Sequence, residues 1–178
     1  MSGAGERASM RGLFRLGIAI AAIVFVVDQA SKLYVHDLLV GEPTRLRSVF
    51  PFLNVVSVWN HGISFGMLGG GEEMVRWGLA AVGVVVIGGL LAWLARVVDP
   101  LVAAALGLAI GGAAGNVADR LRFGAVFDFI DVHLFGWHFW IFNLADAGIS
   151  LGALALLVGG VFVPQRGAEP PMTRPAGG

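Results

Sequence analysis

Residues 101–118 read LVAAALGLAIGGAAGNVA, a run without one charged side chain. A helix needs roughly 17–25 mostly apolar residues to cross a bilayer, so this stretch reads as a transmembrane span. Within it Gly107, Gly111 and Gly115 stand four apart. A doubled GxxxG lets a neighbouring backbone approach closely. Packing within the chain is the expected use, ahead of a dimer seam, because further spans lie on both sides. One runs from about Leu13 to Val40, with an uninterrupted core at Leu16 to Val27 that then meets Asp28, Gln29 and Lys32. Another runs from about Val75 to Val98. The last runs from about Phe139 to Val163 and carries Asn143 and Asp146 near its start. The first and last can span only if their polar residues face protein instead of lipid.

Composition agrees. Of 178 residues, 57% are hydrophobic and 13% charged, and the mean hydropathy is +0.80. A soluble domain carries about 25% charged residues, so a soluble enzyme and a disordered chain are disfavoured. Twelve basic and twelve acidic residues cancel, leaving no excess charge to attract nucleic acid. There is no cysteine, which excludes disulfides, thiolate metal sites and a cysteine nucleophile. The fold class expected is an all-α membrane protein of four transmembrane helices.

Arg7, Arg11 and Arg15 precede the first span. They could head a signal peptide, but Asp28 to Lys32 stands where a small-residue cleavage site would be, so a retained helix is expected. Basic residues divide six to six between the two sides of the membrane. The arginines before the first helix nevertheless favour a cytoplasmic N-terminus, and four spans return the C-terminus to that side. Two linkers then lie outside. The longer, from about Asp37 to Met74, contains the strand-like run Leu53 to Trp59, and a linker of this length usually has structure of its own. In the shorter, Asp119 to His138, the alternation of Val126, Asp128, Ile130 and Val132 with Phe127, Phe129, Asp131 and His133 suggests a strand. The chain thus divides into a cytoplasmic segment at 1–12, a membrane domain at 13–163 with an extracytoplasmic insert at about 41–72, and a tail at 164–178. The tail is rich in proline, glycine and alanine and is expected to be disordered.

Ionisable residues in or beside spans are costly and are functional candidates by default. Asp28 and Lys32 share a helix face and can pair. Asn60 and Gly62 open a turn in which Asn60 can bond a backbone, the protein's own or a bound peptide's. Asn116, Asp119 and Arg120 form one polar face at the end of the third span, where the last two could simply cap and solvate the helix. Asp128 lies between two phenylalanines. Asn143 and Asp146 are three apart, readable as a cap and a first-turn acid, just after an interface-like belt of Trp137, Phe139, Trp140 and Phe142. The linker between Asp128 and Asp146 is short and must reverse, so the two carboxyls can meet. Two close carboxylates share a proton, which is the machinery of an aspartic protease. A metal site from Asp128, Asp131, His133 and His138 is the rival, although no HExxH spacing is present. A proton-coupled transporter and a purely structural membrane protein are further alternatives. A transporter would be favoured by an inverted repeat, and none is visible.

The motif set resembles the lipoprotein signal peptidase family, also called signal peptidase II. It comprises Asp28-Gln29-Ala30-Ser31-Lys32, Asn60-His61-Gly62-Ile63-Ser64-Phe65-Gly66, Gly115-Asn116-Val117-Ala118-Asp119-Arg120, Val126-Phe127-Asp128-Phe129 and Phe142-Asn143-Leu144-Ala145-Asp146. The resemblance implies an intramembrane aspartic endopeptidase of the bacterial inner membrane, with its site near the outer face. It implies Asp128 and Asp146 as the catalytic pair. Residues matching Asp28, Lys32, Asn60, Gly62, Asn116, Arg120, Val126, Asn143 and Ala145 would shape the site or bind substrate. The implied substrate is a diacylglyceryl-modified prolipoprotein cut just before its lipidated cysteine, and the implied inhibitor is of the globomycin type. No cofactor and no metal are expected, and a monomer is the simplest state. The outer insert would form a small β-platform and a short lid helix or loop, with Phe50, Phe52, Trp59 and Phe65 seating it on lipid. Ile63-Ser64 departs from the small pair frequent in the family.

Overall fold

A computed structural model describes residues 3–62 and 71–162. The expected lid, with Ile63 to Gly66, and the tail at 164–178 lie outside the described residues. In chain order the elements are α1 (Gly3–Val40), β1 (Leu46–Phe50), β2 (Leu53–Asn60), α2 (Gly71–Leu94), α3 (Pro100–Phe123), β3 (Val126–Leu134), β4 (Trp137–Phe142) and α4 (Leu144–Phe162). Among the described residues three helices are long and apolar enough to cross a membrane: Ala8–Val40, Gly71–Leu94 and Pro100–Phe123. The apolar part of α4 is shorter, Leu144–Gly159. At 1.5 Å per residue all of α4 still reaches about 28 Å, close to the hydrocarbon thickness. The strands form one antiparallel sheet in the order β1-β2-β3-β4.

The fourth helix begins at Leu144 and not near Phe139, where hydropathy alone puts it. Residues 137–142 pair with β3 instead, Ile130 opposite Phe142 and Leu134 opposite Trp137. An aromatic run suits a pleated surface as well as a helix, and Asn143, directly after the strand, caps α4.

Helix α3 is the axle of the bundle and packs on α1, α2 and α4. Asp99 starts it by accepting the N–H groups of Leu101 and Val102 at 2.7 and 3.1 Å, with Pro100 in the first turn. Gly124, at φ 84°, ends it in the left-handed conformation. The arginine Arg76 of α2 adds hydrogen bonds to the carbonyls of Arg120 and Leu121, 2.7 and 2.6 Å. The α3 glycines are used within the chain. Gly107 and Gly111 lie against the α1 backbone at Gly17 and Ala21, and Gly112 lies against the carbonyl of Ala145 in α4. A side chain at Gly112 therefore has to push α4 away. Gly112→Val is expected to cost about 1–3 kcal/mol by overpacking and to lower the midpoint of thermal unfolding in micelles. Gly88→Ala, where nothing lies within 4 Å, should hold or raise the midpoint, since alanine is the better helix former.

The sheet sits over one end of the bundle. Phe127 and Phe129 point down onto Val35 and Leu39 of α1 and form a buried cluster with them. Strand alternation then sends Asp128 to the opposite face, and this places it in the site.

Candidate active site

Asp128 is buried on β3, and α4 begins beside it. Its Oδ2 accepts the amide of Asn60 at 2.9 Å, and its Oδ1 accepts the amide of Asn143 at 2.6 Å. Asn60 lies opposite Val126 across the strands, so its side chain reaches Asp128 diagonally. Its own oxygen is held by the N–H of Gly62 at 2.9 Å. Gly62 is at φ 97°, and a Cβ there would meet Leu79, so only glycine suits this turn.

Asp146 belongs to a reciprocal cap. Its N–H donates to the Asn143 side chain at 3.0 Å, and its Oδ2 accepts the Asn143 N–H at 3.3 Å. This is a capping box built from an Asn-x-x-Asp spacing. Its other oxygen accepts the amide of Asn116 at 2.7 Å. Asn116 in turn accepts from Asn143 at 3.3 Å and from Lys32 at 3.5 Å. A chain of asparagine amides thus joins the two carboxylates, Asp146 to Asn116 to Asn143 to Asp128. The two carboxyls interact electrostatically.

Burial pushes the Asp128 carboxyl above its ordinary value. The bonds from Asn60 and Asn143 oppose this, and the charge of Asp146 adds to it. Asp146 lines a cleft of about 590 Å³ together with Asn60, Trp140, Phe142, Ala147, Ser150 and Leu151, and Asp128 lies behind that wall, bonded to Asn60. The lining is aromatic and aliphatic except at Asn60, Asp146 and Ser150, the mix of an apolar wall with a few placed polar groups that a ligand site has.

Behind the pair sits a second charged layer. Lys32 is buried between Asp28 at 2.9 Å and Asp119 at 2.7 Å. The other Asp28 oxygen accepts the N–H of Ala145 at 2.9 Å, one of the orphan donors at the start of α4. Asp119 also accepts from Gln29 at 2.9 Å and from the N–H of Phe127 at 3.3 Å. Asp119 is therefore no solvated cap. It is 1% exposed and ties α1 to the entry of β3. Gln29 is the site residue that motif spacing does not single out, and its one signal is its place beside Asp28 in an apolar span. Arg120 hydrogen-bonds the Asn116 carbonyl at 3.3 Å and lies within the field of Asp146 and Asp128 without pairing to either.

Three of the rival metal set, Asp131, His133 and His138, gather on the β3–β4 hairpin, with the two imidazole rings 5.2 Å apart between centroids, whereas Asp128 is taken up by the site described above. Asp131 is held by Asn54 at 3.2 Å and by His138 at 2.9 Å, and Asp128 is bonded to the two asparagines. Among the described residues no group of three or more His, Cys, Asp or Glu side chains is placed to hold a metal ion.

The family model described as signal peptidase (SPase) II matches residues 20–162. The chain is 46% identical over 155 residues to the lipoprotein signal peptidase of Methylobacterium sp. (strain 4-46), covering 85% of this chain and 92% of that protein. It is 41% identical over 144 residues to that of Caulobacter vibrioides, covering 80% and 84%. Two solved structures described as a bacterial membrane enzyme superpose with TM-scores of 0.71 and 0.69 at 28% identity. They cover 83% and 82% of this chain, and 94% and 87% of theirs.

Proposed function

The chain belongs to the signal peptidase II family, and from that premise we propose Asp128 and Asp146 as its catalytic pair. The protein is an aspartic endopeptidase of the bacterial inner membrane that acts on prolipoproteins. The observation that carries the assignment of the pair is the amide chain through Asn116 and Asn143, which links two carboxylates of different elements.

The chemistry rests on one proton shared by two acids. The ionised carboxyl takes a proton from water, and the water oxygen adds to the scissile carbonyl carbon. The protonated carboxyl gives its proton to the carbonyl oxygen. Collapse of the tetrahedral diol breaks the C–N bond: the leaving amine takes a proton from the pair, and one diol hydroxyl returns its proton to the pair as the new carboxyl group forms, which restores the shared proton. Arg120, close to both acids and paired with neither, would bind a substrate carbonyl. Lys32, Asp28 and Asp119 would hold α1, α3 and α4 in register behind the pair.

The cut falls just before the diacylglyceryl cysteine, with the lipid lying along the Trp140, Phe142 and Leu151 side of the cleft. A cyclic peptide of the globomycin type would fill the same cleft. The arginines before α1 favour a cytoplasmic N-terminus, and an even number of crossings returns the C-terminus to the same side. The sheet and the carboxyl pair, at the other end of α1, then face the outer side.

The test is substrate discrimination. Two peptides identical except for the diacylglyceryl group are offered in micelles, with and without chelator. The lipidated one should be cut before the cysteine and the bare one far more slowly, with chelator irrelevant. Equal cutting, or loss with chelator, would contradict the assignment.

Asn60 brings a pH effect. Its amide favours the ionised form of Asp128 against burial. Asn60→Ala removes that bond, so the Asp128 carboxyl should rise further. The limb of the pH profile of kcat/KM that reports the pair should move to higher pH. An unmoved limb, or one moved to lower pH, would remove Asn60 from this role.

A further inference from the structure

The β3–β4 hairpin tip is bare and apolar apart from His138, whose ring is turned to Asp131 at 2.9 Å. Phe135 is 97% exposed, Trp137 83%, Phe139 81% and Trp140 77%, with Leu134 also open. A half-buried strand hides alternate residues, yet β4 has large rings open on both faces. It is also an edge strand of the sheet. Soluble proteins protect such edges with charge, and here no Asp, Glu, Lys or Arg occurs from Val132 to Ala145. The opposite edge strand, β1, has Arg47 within it and Arg45 beside it.

The turn adds an independent observation. Phe135 and Gly136 have φ of 50° and 83°, as the two central residues of a type I′ turn require. That first position favours asparagine, aspartate or glycine. A phenylalanine there is strained, and in water its ring would gain nothing in return.

The apolar surface does not end at the strand. Trp140 and Phe142 border the cleft shared with Leu151 of α4. From there Leu151, Leu154 and Leu157 continue an open apolar stripe along α4, the lipid-facing side of a membrane helix. We infer that the hairpin tip, residues 134–140, is seated in the headgroup and upper acyl region of the bilayer, continuous with the lipid-facing side of α4. By the orientation proposed above this is the outer leaflet. Aromatic rings are favoured at that depth. Since β4 runs directly into Asn143 and Asp146, the seated hairpin sets the depth of the cleft against a lipid-anchored substrate.

The absence of cysteine makes the test direct. Phe135→Cys and, as control, Ser48→Cys on β1 are each labelled with a nitroxide in the full chain. The protein is reconstituted into vesicles of phosphatidylethanolamine and phosphatidylglycerol. Oxygen partitions into lipid and a nickel chelate into water, so their relative collision rates report depth. The label at 135 is expected to favour oxygen several-fold over the label at 48. Equal access of the nickel chelate to both sites would overturn the inference. So would shielding of site 135 from both reagents, which would mean a protein partner. This readout needs no turnover, so it stands or falls apart from the peptidase assignment. For the consequence on depth, Phe135→Asn keeps the turn and removes the ring. It should raise KM several-fold for a vesicle-borne substrate with kcat retained, and an unchanged KM would refute depth setting.

Discussion

Asp146→Asn is expected to lower kcat by about 10²–10⁴-fold, the range that a positioned acid or base supplies, while the chain stays folded. An asparagine can keep its amide oxygen on Asn116, where Asp146 now accepts at 2.7 Å. What it cannot do is exchange a proton with water or with the leaving amine. The second cap bond, from the Asn143 N–H at 3.3 Å, meets an amide nitrogen instead of an oxygen. Loss of a cap interaction costs about 1 kcal/mol, which a four-helix bundle can absorb. Single-turnover rates in micelles, together with a thermal unfolding curve, separate the two effects. A variant that keeps more than about a tenth of the wild-type rate would lie outside the range for a lost proton-transfer group and would remove Asp146 from the pair.

Lys32→Met should produce the largest loss of stability. Lys32 is buried between Asp28 and Asp119, and its removal leaves two buried acids with only Gln29 between them. Breaking a buried ion pair from one side costs about 3–5 kcal/mol, because the remaining charge is uncompensated. Here the loss spreads. Asp28 holds the Ala145 N–H at the start of α4, and Asp119 holds the Phe127 N–H at the start of β3. The helix that carries Asp146 and the strand that carries Asp128 both hang on this layer. Replacing all three charges together, as Lys32→Met with Asp28→Asn and Asp119→Asn, should recover much of the loss. Unfolding midpoints in micelles compare the two variants. If the triple variant is no more stable than the single one, the layer works through shape and not charge.

Much of the fold is legible in the sequence, and the reasons differ by element. The α3 run without charge declares a span by length alone, and its glycines act within the chain as their spacing suggests. The strands around Val55 and Asp128 show through alternation. Strand β4 does not show, because its aromatic residues continue without a break into the apolar run of α4. Only Asn143 marks the boundary, and a cap residue inside an apolar stretch looks equally like a buried site residue. It is both. Strand β1 is short and open along its length, so it has no buried alternation to read.

In the site, the pairing of Asp28 with Lys32 follows from the i, i+4 spacing. That Asp119 completes the pair into a triad does not, since it depends on how α1 packs on α3. For the same reason the Asn116–Asn143 bridge is invisible in the sequence. Each asparagine reads locally as a helix-end residue, and only the approach of α3 to α4, permitted by Gly112, turns the two into the link between carboxylates.

The most direct measurement is the mass of the products formed from a lipobox peptide bearing a diacylglyceryl cysteine, with wild type and Asp128→Asn compared side by side at equal folded concentration. One new N-terminus is expected in the wild-type reaction, at the lipidated cysteine, and almost no product from the variant. Cleavage of equal extent at the same bond by both proteins would contradict it.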